Sequence, residues 1–204
     1  MIIVKNSKDM GNCKTSSLKK TKNTMNKYIS TLFFLFLLIG FVNILKAQEA
    51  ENNFENAKTL MQDGDYGKAL KHLNKALSIK NEWAEAYLRR GQVYYELGKY
   101  KEMIKDCENA LKYDKNLVQA YFNLGIAQYN LKNYAGALPH FTMFLAKKPK
   151  DAEALAWRGM SNFYLKNKKQ ACEDWEKAID LGNSYVKPYY NKNCQEENAS
   201  QIKE

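Results

Sequence analysis

The 204-residue sequence predicts an all-α solenoid of paired antiparallel helices, closed by a C-terminal capping helix. Three observations predict this fold. The same residue types recur every 34 positions, as glycine does at Gly91, Gly125 and Gly159. Each unit contains two stretches with apolar residues at helical spacing, separated by a turn-forming pair such as Leu97-Gly98. A unit of this length cannot bury its apolar face alone, so neighbouring units must stack.

Two segments precede the repeats. Residues 1–24 are rich in lysine and lack apolar periodicity, so we expect an unstructured basic extension. Residues 25–47 combine a basic start at Lys27, an unbroken apolar run over 32–39 and a small residue, Ala47, at the end. This is the layout of a secretory signal peptide. Translation from Met25 would make residues 1–24 a misassigned extension.

The apolar segment leaves two alternatives open. A signal peptide would be cleaved after Ala47 or Gln48, although Leu45 is larger than is ideal three residues before the cut. An N-terminal anchor would keep residues 29–45 in the membrane and the lysine-rich stretch in the cytoplasm, but a full span needs about 20 apolar residues. We favour cleavage. Both alternatives place the repeats outside the cytoplasmic membrane, either in the periplasm or secreted.

Most of the positive charge belongs to these N-terminal segments. The whole chain has a formal net charge of +10, of which residues 1–47, with eight lysines and Asp9, contribute +7. The rest of the chain therefore carries only +3. A nucleic-acid-binding domain should keep a basic face in its folded part. The charge thus indicates targeting, and we expect no nucleic-acid partner.

Residues 48–185 are predicted to form four repeats, at 50–83, 84–117, 118–151 and 152–185. The third repeat shows the sequence pattern most clearly. Its characteristic positions hold Tyr121, Leu124-Gly125, Ala137, Phe141, Phe144 and Pro149. This pattern resembles the tetratricopeptide repeat, and four copies in phase make the resemblance specific.

The resemblance implies that the first helix of each repeat lines a concave groove that holds an extended peptide or a partner helix. The residues that it places in this groove are Arg89, Gln92, Tyr95, Phe122, Asn123, Ile126, Tyr129, Trp157, Met160 and Tyr164. Aromatic side chains in a pre-formed groove are typical binding anchors; packing between repeats is the alternative for any one of them. Chaperone-binding members clamp a C-terminal carboxylate with Lys, Asn and Arg, but here only Asn123 fits that set.

Residues 186–204 are predicted to form a capping helix and a polar tail, since repeat arrays need a capped end for solubility. Cys172 lies on the last repeat and Cys194 at the end of the proposed cap. In an exported protein a disulfide between them would hold the cap in place; two free thiols are the alternative. Cys107 occupies a large apolar position of its repeat and is predicted to be buried.

No sequence pattern indicates catalysis. The chain has no Gly-rich phosphate loop, nucleophile elbow or HExxH motif, and no Cys or His pair has the spacing of metal ligands. We therefore expect a non-catalytic scaffold, without cofactor or metal, that binds a protein or peptide partner. The alternative is a self-assembling structural component, or a membrane-anchored assembly factor, of the cell envelope.

Overall fold

A computed structural model describes the backbone of residues 8–195 and the side chains of residues 25–195. This part of the chain contains helices and no strand. The helices are α1 (Lys8–Gln62), α2 (Tyr66–Ile79), α3 (Ala84–Glu96), α4 (Tyr100–Tyr113), α5 (Val118–Asn130), α6 (Tyr134–Lys147), α7 (Ala152–Tyr164), α8 (Lys168–Asp180) and α9 (Lys187–Cys194). The chain divides into two compact units, Met1–Glu49 and Ala50–Glu204.

The first unit is helical from Lys8 onward. Residues 8–24 are thus helical where the sequence predicted no regular structure, while residues 1–7 lie outside the described part. Extending an existing helix needs no new nucleus, and lysine is a good helix former, so helix continues readily from the apolar segment. The apolar side chains of that segment are exposed; for example, Leu32 is 65% exposed and Phe36 is 74% exposed.

The described residues include one helix that is long and apolar enough to cross a membrane, Met25–Gln62 within α1. A signal sequence near the N-terminus has the same length and composition. The helix extends beyond residues 29–45, which by themselves are shorter than the roughly 20 apolar residues that a span needs. The structure is therefore compatible with either alternative for the N-terminal segment.

The second unit repeats with the 34-residue period of the sequence. Helices α3, α5 and α7 begin at Ala84, Val118 and Ala152, and α4, α6 and α8 begin at corresponding positions. The first helix of each repeat (α3, α5 or α7) packs against the second helix of the same repeat (α4, α6 or α8). Helices α4 and α6 also pack against the first helix of the next repeat. Helices α3, α5 and α7 also contact one another in succession, and α9 covers α8. The predicted fold class is confirmed.

Glycine allows close crossing of the two helices where the partner side chain is large. A Cβ atom added at Gly125 would lie 2.6 Å from the ring of Phe141, and one at Gly159 would lie 2.6 Å from the ring of Trp175. At Gly91 the nearest atom would be Cys107 Sγ, at 3.4 Å, which is ordinary contact. The recurrent glycine is therefore required in the third and fourth repeats and merely tolerated in the second.

The first helices end in a left-handed residue. Gly64 (φ 76°), Gly98 (φ 68°), Lys132 (φ 61°) and Lys166 (φ 66°) share this conformation at the 34-residue spacing. The following amide closes the turn, as when Lys99 N–H donates to the Tyr94 carbonyl at 2.8 Å. This pattern is a Schellman motif, in which glycine is favoured because a Cβ atom is crowded there.

Two half-buried ion pairs join first and second helices in alternate repeats. Arg90 Nε donates to Asp106 Oδ2 at 2.7 Å and Nη2 to Oδ1 at 2.8 Å. Arg158 makes the same two bonds to Asp174, at 2.8 and 2.6 Å. Both aspartates are buried. The third repeat has Leu124 and a histidine at these two positions.

The capping helix is attached by a disulfide. Cys172 of α8 and Cys194 of α9 are bonded, with a Cα–Cα distance of 5.8 Å, and Val186, just before α9, is fully buried. The pairing left open by the sequence is therefore present in the structure. Cys107 is a free thiol in the core, and burial raises its pKa to about 12. The predicted polar tail beyond residue 195 lies outside the described part.

We expect Gly125→Ala to lower the free energy of unfolding by about 1–3 kcal/mol, because the new methyl group overpacks against Phe141. Gly91→Ala is the matched control and should be neutral or stabilising by up to about 1 kcal/mol, since alanine favours helix. Urea unfolding followed by circular dichroism measures both. Equal effects of the two substitutions would contradict the assignment.

We expect Lys132→Gly to stabilise the chain by about 0.5–1 kcal/mol. A lysine in the left-handed conformation costs about 1–2 kcal/mol, and glycine removes this cost. Glycine also raises the conformational entropy of the unfolded chain, which lowers stability by only about 0.4–1 kcal/mol. Lys105→Gly, at an exposed position within α4, should instead cost about 1 kcal/mol. The same unfolding measurement applies, and a loss of stability in Lys132→Gly would refute the account.

We expect Cys172→Ser/Cys194→Ser to lower stability by about 3 kcal/mol, since the disulfide closes a loop with a sequence separation of 22. Thermal midpoints of the full chain, with and without dithiothreitol, measure this loss. Reductant should lower the midpoint of the wild-type chain and leave that of the double variant unchanged. A wild-type midpoint insensitive to reductant would show that the bond contributes nothing.

Candidate functional site

A cavity of about 320 Å³ lies on the face formed by the first helices of the repeats. We call it the central cavity. Its lining comes from six helices, α1 to α5 and α7, and consists of Met61, Tyr66, Gln92, Tyr95, Glu96, Met103, Phe122, Asn123, Ile126 and Glu153. Five of the ten predicted groove residues are thus brought together here: Gln92, Tyr95, Phe122, Asn123 and Ile126.

Two further predicted residues, Trp157 and Met160, line a smaller cavity of about 130 Å³. We call it the C-terminal cavity; it also includes Tyr185 and Val186 next to the cap. Glu153 lines both cavities. Its Oε1 accepts a hydrogen bond from Trp157 Nε1 at 3.3 Å. The two cavities are therefore neighbours on the same face.

The remaining predicted residues lie outside the two linings. Tyr129 packs edge-on against Trp157, with ring centroids 4.9 Å apart, and burial raises the pKa of its hydroxyl. Tyr164 stacks on Tyr134 at 4.5 Å. These tyrosines form an aromatic wall beside the C-terminal cavity. Arg89 donates to Glu85 Oε1 at 3.2 Å and to Gln92 Oε1 at 3.3 Å.

Sequence reasoning missed five lining residues. Tyr66 and Met103 belong to second helices, which the groove pattern did not include, and Met61 lies in the most degraded repeat. Glu96 follows Tyr95 at the end of α3, and Glu153 is the second residue of α7. Their repeat positions were a usable signal, since Glu96 neighbours a predicted residue and Glu153 occupies the same position as Glu85.

Asn123 is the most unusual polar group of the central cavity. It is only 6% exposed, and its Oδ1 accepts from Gln119 Nε2 at 3.4 Å. Its Nδ2 is buried and finds no hydrogen-bond partner within the described part of the chain. Burying an amide donor without a partner costs about 1–3 kcal/mol. Such a group in a native protein calls for a specific reason.

The charged groups of the central cavity are both acidic. Its lining contains the carboxylates of Glu96 and Glu153 and no basic side chain. Burial raises the pKa of the Tyr95 hydroxyl, and the neighbouring Tyr100, Glu96 and Glu153 raise it further. The lining also contains no histidine, cysteine or serine. Among the described residues, no group of three or more His, Cys, Asp or Glu is placed to hold a metal ion.

Several solved structures share this fold. MamA 41-end from Desulfovibrio magneticus RS-1 superposes with a TM-score of 0.65 at 23% identity, covering 68% of this chain and 78% of that one. The Arabidopsis OM64 TPR domain superposes with a TM-score of 0.55 at 23% identity, covering 57% of this chain and 96% of that one. The first TPR of Spaghetti (RPAP3), bound to the HSP90 peptide SRMEEVD, superposes with a TM-score of 0.57 at 21% identity. The match covers 59% of this chain and 95% of that one.

Family comparison identifies the repeat directly. The family described as TPR repeat matches residues 57–98 and 91–132, and the one described as Tetratricopeptide repeat matches residues 122–189. Together these matches span all of the second unit except its two ends. No curated protein matches the sequence. The helix pairs, their 34-residue spacing and these matches agree, and the chain belongs to the tetratricopeptide repeat family.

Proposed function

We propose that this protein is a non-catalytic scaffold that binds a peptide or a partner helix on the face of its first helices. The observation that carries the proposal is the buried Nδ2 of Asn123 in the central cavity. A carbonyl group of a bound chain would supply the hydrogen-bond acceptor that this donor lacks. The cost of burying it would then be recovered in the complex.

The lining of the cavity supports a protein ligand. The lining extends over all four repeats, so a partner can run along several first helices. The Spaghetti domain, which has the same fold, is bound to a peptide in its solved structure. Tyr95 and Phe122 are aromatic anchors of the kind found at binding surfaces.

The absence of a catalytic role is part of the proposal. Members of this family are typically non-catalytic. The central cavity offers two carboxylates but neither a nucleophile nor a histidine base to work with them. We therefore assign Glu96 and Glu153 to recognition rather than to chemistry.

We also propose that the repeats work outside the cytoplasmic membrane. The exposed apolar segment of α1 supports export or anchoring. The disulfide between Cys172 and Cys194 supports an oxidising compartment, where such bonds persist. If the apolar segment is retained, residues 29–45 would anchor the protein to the membrane; if it is cleaved, the protein is periplasmic or secreted.

The test is photo-crosslinking combined with substitution of Asn123. We expect p-benzoylphenylalanine at Tyr95, which is 38% exposed beside the cavity, to crosslink a defined partner in cells that express the chain. The same probe at Glu108, an exposed residue of α4, should not. Asn123→Ala should weaken partner binding about five- to tenfold by removing one hydrogen bond.

The stability of Asn123→Ala separates binding from folding. This substitution removes an unpaired buried donor but also the long bond from Gln119 to Oδ1, so its free energy of unfolding should stay within about 1 kcal/mol of the wild-type value. Asn116→Ala, in the exposed turn before α5, is the matched control and should bind normally. Equal crosslinking from Tyr95 and Glu108, or normal binding by Asn123→Ala, would overturn the proposal. Crosslinking only to a second copy of the chain would favour self-assembly.

A further inference from the structure

The central cavity combines an uncompensated negative charge with apolar walls. Glu96 and Glu153 approach it from the end of α3 and the start of α7. Within residues 25–195 neither carboxylate forms an ion pair. The basic side chain on the same face of α3, Arg89, is already paired with Glu85 at 3.2 Å. In the first repeat Lys58 is likewise paired with Glu55, at 2.9 Å.

The walls suit the stem of a long side chain. Ile126 and Met103 are buried and Phe122 is half-buried, so the cavity presents apolar surface below its acidic rim. Long cationic side chains cover such surface with their methylene groups and keep the charged head at the polar edge. The ring of Tyr95 adds a face that attracts cations. Asn123 Nδ2, buried and without a hydrogen-bond partner in the described part of the chain, is an independent sign that a ligand belongs here.

We infer that the central cavity selects a partner peptide that places a lysine or arginine next to an apolar residue. The cationic head would lie between Glu96 and Glu153, its stem against Phe122 and Ile126, and a peptide carbonyl would accept from Asn123 Nδ2. This inference rests on the proposed function and adds the chemistry of the partner. A peptide with acidic residues would meet two like charges and be rejected, which is how charge complementarity sets specificity.

A bound divalent cation is a poorer match to the same residues. Calcium takes six to eight oxygen ligands at short distance, and the central cavity supplies two carboxylates and two amide side chains spread over three helices. In the part of the chain that the structure describes, no metal-binding group of acidic residues is found. An organic cation carried by a peptide satisfies the charge without this coordination requirement.

The test is selection from a phage-displayed library of random 12-residue peptides. The full chain, purified in detergent micelles, is compared with Glu96→Gln/Glu153→Gln and with Glu102→Gln/Glu108→Gln. The last pair changes charge equally but alters two exposed residues of α4 that do not line the cavity. We expect enrichment of peptides with lysine or arginine beside an apolar residue for the wild-type chain and the control, and loss of that enrichment for Glu96→Gln/Glu153→Gln.

Fluorescence anisotropy with one enriched peptide gives the magnitude. We expect Glu96→Gln/Glu153→Gln to bind it about three- to tenfold more weakly, with a smaller response to added NaCl than the wild type shows. Peptides that bind but lack cationic enrichment, and whose binding Asn123→Ala weakens, would refute the inference and leave the proposed function standing. Enrichment of no peptide, or binding indifferent to Asn123→Ala, would refute both.

Discussion

The close crossing of two helices within each repeat is the constraint on which the rest of the structure depends. At Gly125 and Gly159 the first helix has no side chain, because the ring of Phe141 or Trp175 occupies that space. In these two repeats the ring contact requires the helices to cross closely, and stacking places each helix pair on the next. The inner face, and with it the central cavity, exists because successive pairs are placed so similarly.

The polar groups of the central cavity are less well paired than the charged groups of the core. The core pairs its buried charges, as Arg90 does with Asp106. Among residues 25–195, the central cavity instead has a buried amide donor without a hydrogen-bond partner and two exposed carboxylates without a counter-ion. Burying an unpaired amide donor lowers the stability of the isolated protein, and sequences retain such groups where function requires them. Trp175 Nε1 in the core also lacks a hydrogen-bond partner among the described residues, so what distinguishes the central cavity is the combination of such a donor with acidic side chains.

Periodicity made the fold predictable, because every repeat supplies the same information again. The helix starts at Ala84, Val118 and Ala152 coincide with the predicted repeat boundaries. The cavity was only half predictable. Glu153 and Met61 reach it from the fourth and the first repeats, and which side chains converge depends on how the stack curves, a property of all the interfaces together. The helix over residues 8–24 was missed because it depends on the helix that follows it rather than on its own pattern.

The alternation of the half-buried ion pairs has a consequence for folding errors. Repeats with interchangeable interfaces can pair the first helix of one with the second helix of another, a common failure of repeat proteins. Pairing α3 with α6 would set Arg90 against His140, where no carboxylate receives it. Arg90 is half-buried, so its charge would lose the aspartate while staying partly removed from water, which disfavours the mispaired arrangement. The Arg–Asp pairs therefore disfavour pairing between adjacent repeats, because the matching aspartate recurs only in alternate ones.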